Sequence, residues 1–91
     1  MKQKSKDEIK QYLQERFKEE RLRYGFSQSA FARRLQIDVR SYADIEHGES
    51  MCGLMTFLIF LSVACSDPAD LVSRLQSIIR SHYNTRKPLS S

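Results

Sequence analysis

Few residues in this chain are suited to covalent or metal chemistry, and their spacing is poor for it. The two cysteines, Cys52 and Cys65, lie thirteen residues apart in one apolar segment. On a single helix, with a rise of about 1.5 Å per residue, they would stand roughly 20 Å apart. A disulfide needs Cα atoms within about 7 Å. No CxxC or CxxxxH spacing occurs, so a zinc site is not expected. The two histidines, His47 and His82, fall on separate elements, and no Ser/His/Asp or Cys/His grouping reads as a nucleophile site. The expectation is a non-enzyme without cofactor or metal, whose thiols are buried in a reducing cytoplasm.

The residues that do suggest a task are non-covalent. Between 28 and 47, small and apolar side chains (Phe31, Ala32, Leu35, Ile37, Tyr42, Ile45) alternate with polar ones that include Gln28, Arg40-Ser41, Asp44 and His47, with Val39 beside Arg40. Two short helices crossing closely at a steep angle need a small residue at the crossing, which Ala32 supplies, and apolar residues facing the rest of the domain. Gln36-Ile37-Asp38 has the length of a tight joint. The second helix is then free to present its polar side to a partner.

The elements that must hold this pair are legible along the chain. Residues 7–24 lack Gly and Pro and carry Ile9, Leu13 and Phe17 every four residues, which predicts a first helix stopped by Gly25. Ser27 reads as the N-cap of a second helix, 28–36, and Asp38 as that of a third, 39–47, ended by Gly48. Ser50 is expected to cap a fourth, 51–65. Asp67-Pro68 opens a fifth, which carries Leu71, Val72, Leu75, Ile78 and Ile79 to about Tyr83. The class is all-α, with five helices. Residues 1–12 form a basic extension continuing into the first helix, 13–80 the domain, and 84–91 a flexible tail.

Ninety-one residues make one small domain with little interior for an enclosed catalytic pocket. MKQKSKDEIK has no apolar core behind it, so it is not a signal peptide. The uncharged run 50–66 is short and too rich in Ser, Thr and Gly for a membrane span. The net charge of +4 hints at nucleic acid, but it is unevenly placed. Residues 1–26 carry +3, residues 27–66 carry −1 and residues 67–91 carry +2. The phosphate attraction would therefore rest on the basic flanks, including Lys2, Lys4, Lys6, Arg86 and Lys87, read as loose arms.

The stretch RLRYGFSQSAFARRLQIDVRSYADIEHGE resembles the Cro/phage-repressor (XRE-type) helix-turn-helix family, and the likeness runs over about 13–75. It is carried by Arg21, Gly25, Ser27-Gln28, Phe31-Ala32, Leu35, Ile37, Ile45-Glu46 and Gly48. The resemblance implies a five-helix, lambda-repressor-like fold with the motif at about 28–47. It implies a sequence-specific regulator of double-stranded DNA, a repressor acting as a homodimer on a palindromic site. By position, Val39, Arg40 and Asp44, with Ala43 close by, would face base edges. Gln28, Ser41 and His47 would lie near phosphates, and Arg21 would pair with Glu46. Phage repressors, antitoxins and restriction–modification controllers all occur in the family, so a partner such as a toxin stays open.

Four departures stand out. Gln36 occupies a turn where glycine is usual, at a cost of about 1 kcal/mol if its φ is positive. The loop 48–51 lacks basic residues and Pro. Gly53 weakens the start of the fourth helix. Met55, Ile59 and Val63 make that helix apolar on every side, so a second subunit is expected to cover it, with Ile59, Val63, Val72, Leu75 and Ile79 at the dimer surface. The competing reading keeps the fold as a protein-interaction module without DNA binding, prompted by Asp38, Asp44, Glu46 and Glu49.

Overall fold

The computed structural model describes residues 2–83, with side chains from residue 4 onward. The expected tail, 84–91, with Arg86 and Lys87, and the side chain of Lys2 lie outside the described residues. Five helices follow in order: α1 (Lys2–Tyr24), α2 (Gln28–Arg34), α3 (Val39–Glu46), α4 (Leu54–Ile59) and α5 (Pro68–Tyr83). A π-helical turn, Phe60–Ala64, extends α4. No strand occurs among the described residues.

The first three helices end in the same way, and the sequence shows why. A residue with positive φ follows each helix, and its N–H and the next one bond back to the last turn. At α1 this residue is Gly25 (φ 75°), with Gly25 N–H to the Leu22 carbonyl and Phe26 N–H to Arg21, both at 3.1 Å. At α3 it is Gly48 (φ 76°), with bonds to Ile45 and Asp44. At α2 it is Gln36, at φ 64°, with Gln36 N–H to Arg33 and Ile37 N–H to Ala32, both at 3.0 Å. The turn thus keeps the glycine geometry without the glycine. The bonds it closes, and the partial burial of Ile37 beside the core, hold Gln36 there.

Helix starts are set by side-chain caps. Ser27 Oγ accepts the Ala30 N–H at 3.1 Å, Asp38 Oδ1 that of Ser41 at 3.1 Å, and Asp67 Oδ1 that of Asp70 at 3.2 Å. The fourth helix departs from expectation. It starts at Leu54 and not at Met51, and its N-cap is Gly53, not Ser50. Gly53 therefore sits outside the helix and does not weaken its first turn. Cys52 lies in the preceding loop and Cys65 beyond the π turn, so the two cysteines do not share a helix. Both are half-buried free thiols, pushed up in pKa by that burial.

Four helical segments each send an aromatic ring to the centre. Phe17 of α1 stacks on Phe60 of the π turn at 4.0 Å between centroids. Phe31 of α2 meets Tyr42 of α3 edge-on at 5.4 Å and Phe60 at 6.4 Å. Leu13, Leu35, Ala32, Ile45, Ala64 and, from α5, Leu71 fill the remainder. Ala64 follows Phe60 by one turn, so both are buried on the same side.

The first turns of α1 run along the end of α5, where His82 Nε2 lies 3.1 Å from Glu8 Oε1. Lys4 and Lys6 are therefore exposed on an ordered helix and are not loose arms. Along α1 they stand roughly 25–30 Å from its C-terminal end. That exceeds the Debye length of about 8–10 Å, so their charge is screened from whatever the α2–α3 pair touches.

Candidate nucleic-acid interface

Helix α3 divides cleanly into two sides. Tyr42, Ile45 and Glu46 are buried. Val39, Arg40, Ala43, Asp44 and His47 share the opposite face by helical spacing. Val39, Arg40 and His47 are exposed there, while Ala43 and Asp44 are half-buried. Asp44 lines a cleft of about 310 Å³ with Ser41, Ser50 and Cys52, where the loop 50–53 passes the helix. Ser41 lies off that face, and its bonds to Asp38 hold the Asp38 carboxyl below its usual range.

A buried carboxylate fixes the pose of α3. Glu46 Oε2 accepts Arg21 Nε at 2.7 Å and the Tyr42 hydroxyl at 2.5 Å. Its Oε1 accepts Arg21 Nη2 at 3.1 Å and Gln28 Nε2 at 2.7 Å. Arg21 also donates to the Phe26 carbonyl at 3.0 Å, which clamps the α1–α2 joint. Burial by itself would raise the Glu46 carboxyl, but donors from Arg21, Tyr42 and Gln28 hold it below its ordinary value. The same carboxylate raises the Arg21 guanidinium, and burial beside Glu46 raises the Tyr42 phenol. One fork-to-fork pair thereby ties α1, α2 and α3 together.

Gln28 was expected near a phosphate. Its amide nitrogen is instead committed to Glu46, so in this conformation the side chain serves the network and does not project outward. The cations that do face outward near the motif are Arg33, Arg34 and Arg40, all exposed. The Arg34 guanidinium sits 5.6 Å above the Phe26 ring, which restrains it.

Of the dimer-surface candidates, Val72, Leu75 and Ile79 line one groove of about 370 Å³ on α5, with Phe57 as their partner from α4. Ile59 packs partly against the core, and Ile59 and Val63 are not among the groove's lining residues. Helix α4 is also not covered all round. Leu54 and Met55 are 73 % and 69 % exposed.

A second buried carboxylate escaped the sequence reading. Glu20 is fully buried, and its Oε2 accepts the Ser66 hydroxyl at 2.8 Å, the Ser66 N–H at 3.2 Å and Arg16 Nη2 at 3.1 Å. Burial opposes its charge, but these donors and Arg23 keep its pKa low. It joins α1 to the α4–α5 connection as Glu46 joins α1 to α3. A signal was present, because Glu20 lies three residues beyond Phe17, on the apolar stripe itself.

Compared with models of known protein families, the chain matches the one described as helix-turn-helix over residues 17–58. Residues 17–58 are a helix-turn-helix domain. It is of the Cro/C1 type of the XRE family, a DNA-binding class. The match spans the C-terminal part of α1, all of α2 and α3 and most of α4. No curated protein and no solved structure matches the chain. Within the helix-turn-helix domain, α2 and α3 are the two helices of the motif. No helix among the described residues is long and apolar enough to cross a membrane.

Proposed function

We propose that this protein is a sequence-specific regulator of double-stranded DNA, a repressor that acts by occupying an operator as a homodimer. The observation that carries the reading is the outward face of α3. It offers Val39, Arg40, Ala43, Asp44 and His47 on a helix whose back is locked to α1 through Arg21 and Glu46. Arg40 is the strongest candidate for direct readout, because a guanidinium can bridge guanine O6 and N7. Val39 suits a thymine methyl, and Asp44 suits a cytosine amino group. Ser41, His47 and Gln28 lie at the edges, where phosphates would pass. For Gln28 that contact requires exchanging Glu46 for the phosphate.

The motif's low charge bears on how tight binding is. With three exposed arginines on the motif and Lys4 and Lys6 far along α1, one copy releases few counterions. Two copies on two half-sites would supply the remainder.

Binding selection from random duplexes, followed by anisotropy titration at two salt concentrations, tests the proposal. A preferred half-site repeated with two-fold symmetry is expected. Equal affinity for all duplexes at both salts would sink it. A second reading, a protein-interaction module, is favoured by Asp38, Asp44 and Glu49 beside α3. On that reading Arg40→Ala leaves partner binding unchanged.

A further inference from the structure

We infer that the cleft between α3 and the loop 50–53 binds a small organic ammonium compound, one with a short aliphatic body and a hydroxyl or carbonyl group at its far end. The bound compound competes with the duplex. That effect rests on the regulator reading, whereas the site itself does not.

The cleft, about 310 Å³, lies at the lower end of the roughly 300–1,000 Å³ usual for small-ligand pockets. The loop that walls it is held to α3, because the Asp44 carbonyl accepts the Glu49 N–H at 2.8 Å and the Ser50 N–H at 3.2 Å. Two polar side chains of the lining have no partner among the described residues. Thr56, in the first turn of α4, is only 9 % exposed, and its hydroxyl makes no hydrogen bond there. A buried hydroxyl without a protein partner is costly, so a ligand group that reaches it is held well. Asp44 is half-buried, and its carboxylate has no side-chain partner either, not even Arg40 one turn earlier on α3.

The lining selects the ligand. Asp44 is its only charged residue, so the ligand carries a cation. Asp38 and Glu49 nearby add negative potential, and residues 48–51 supply no base against it. A divalent metal ion is a poor fit, because no three His, Cys, Asp or Glu converge among the described residues. An ammonium group needs only one carboxylate for a charge-assisted hydrogen bond. Ile37, Ile45 and Met51 also line the cleft and suit a short hydrocarbon body. The hydroxyls of Ser50 and Thr56 both donate and accept, so they suit a hydroxyl or carbonyl at the other end. Asp44 also shares the outward face of α3 with Val39 and Arg40. A ligand on its carboxylate takes the acceptor that would meet a base edge, which makes ligand and duplex mutually exclusive.

Amide NMR shifts of the labelled full chain, titrated at fixed ionic strength, test this. The probes are ethanolamine, 4-aminobutan-1-ol and 6-aminohexan-1-ol, beside butane-1,4-diol and 4-hydroxybutanoate. The best amino alcohol should shift the amides around Asp44, Ser50 and Thr56 to saturation. Its dissociation constant should lie in the millimolar range expected of so small a ligand. The diol and the hydroxy acid should bind at least tenfold more weakly. Asp44→Asn should weaken the amino alcohol at least tenfold and Thr56→Val at least threefold, with circular dichroism unchanged. Glu49→Gln, outside the lining, should change it less than twofold. At about ten times its dissociation constant, the amino alcohol should weaken binding of a selected duplex about tenfold by competition. Asp44→Asn, compared with its own duplex affinity, should show no such loss. Shifts that never saturate or that scatter over acidic residues elsewhere would overturn the inference. So would equal binding of the diol, or indifference to both Asp44→Asn and Thr56→Val. Saturable binding that leaves duplex affinity untouched would overturn the competition. Probe binding by a chain with no duplex preference would instead overturn the regulator reading and leave the cleft standing.

Discussion

The two halves of this molecule show the outside world opposite surfaces. Around α2 and α3 the large apolar side chains other than Val39 turn inward, and the exposed side carries Val39 with arginines, a histidine and short polar groups. Around α4 and α5, Leu54, Met55, Leu58, Val63 and Ile79 are exposed hydrophobic side chains. Each half is tied to α1 by one buried carboxylate, Glu46 for the motif and Glu20 for the α4–α5 connection. The lesson is a division of labour. The half with a polar exterior suits a polyanion, and the half with an apolar exterior suits another protein surface, while α1 serves as the common spine.

The most severe test asks whether the halves are separable at all. Phe60 comes from the α4 side but stacks on Phe17 and touches Phe31. Phe60→Ala should cost about 3–5 kcal/mol and keep a single unfolding transition in urea. Two transitions would show that the motif folds without the other half.

Glu46→Gln should cost about 2–3 kcal/mol, because it leaves Arg21 buried beside a neutral amide. The sign with pH is definite. The folded-state carboxyl lies below its usual value of 4.5, so its stabilisation is present above that value and is lost as the pH falls through the lower folded-state value. Urea midpoints measured from pH 7 to pH 3 should therefore fall less steeply for Glu46→Gln than for wild type. Glu20 keeps part of the slope in both proteins, as its carboxyl is depressed too. Equal slopes would mean that Glu46 is not the group being titrated.

Arg40→Ala should separate function from folding. Stability should change by less than about 0.5 kcal/mol, because the side chain is exposed. Affinity for a selected duplex should drop by about 1–3 kcal/mol, with discrimination relaxed at one base pair. The smallest effect is expected at the joint of the motif. Gln36→Gly removes the strain of a positive φ at 64° and adds freedom to the unfolded chain, for a net gain of about 0.5 kcal/mol in thermal or urea melts. A loss of stability there would show that the Gln36 side chain contributes more than its backbone costs.

Much of the motif half could be read locally. Its caps, Ser27 and Asp38, and its stops, Gly25 and Gly48, act through neighbours within five residues, and the helical spacing of Phe31, Ala32, Leu35, Tyr42 and Ile45 marks its inward side. The α4 region resisted the same treatment. Ser50 and Gly53 are both acceptable caps, and the choice of Gly53 depends on how the loop 50–53 packs beside α3. Lys4 and Lys6 look like free arms until α5 is placed alongside α1.

What the sequence by itself determined was the set of helices and the polar character of α3, because hydrophobic period, caps and stops act over a few residues. What only the tertiary structure decided was which groups meet. It brought Gln28 to Glu46 and turned Glu20 inward to Ser66, 46 residues away. It placed Phe57 in the groove and left Ile59 and Val63 out of it. Those outcomes depend on how helices pack against one another, and packing is a property of the whole chain.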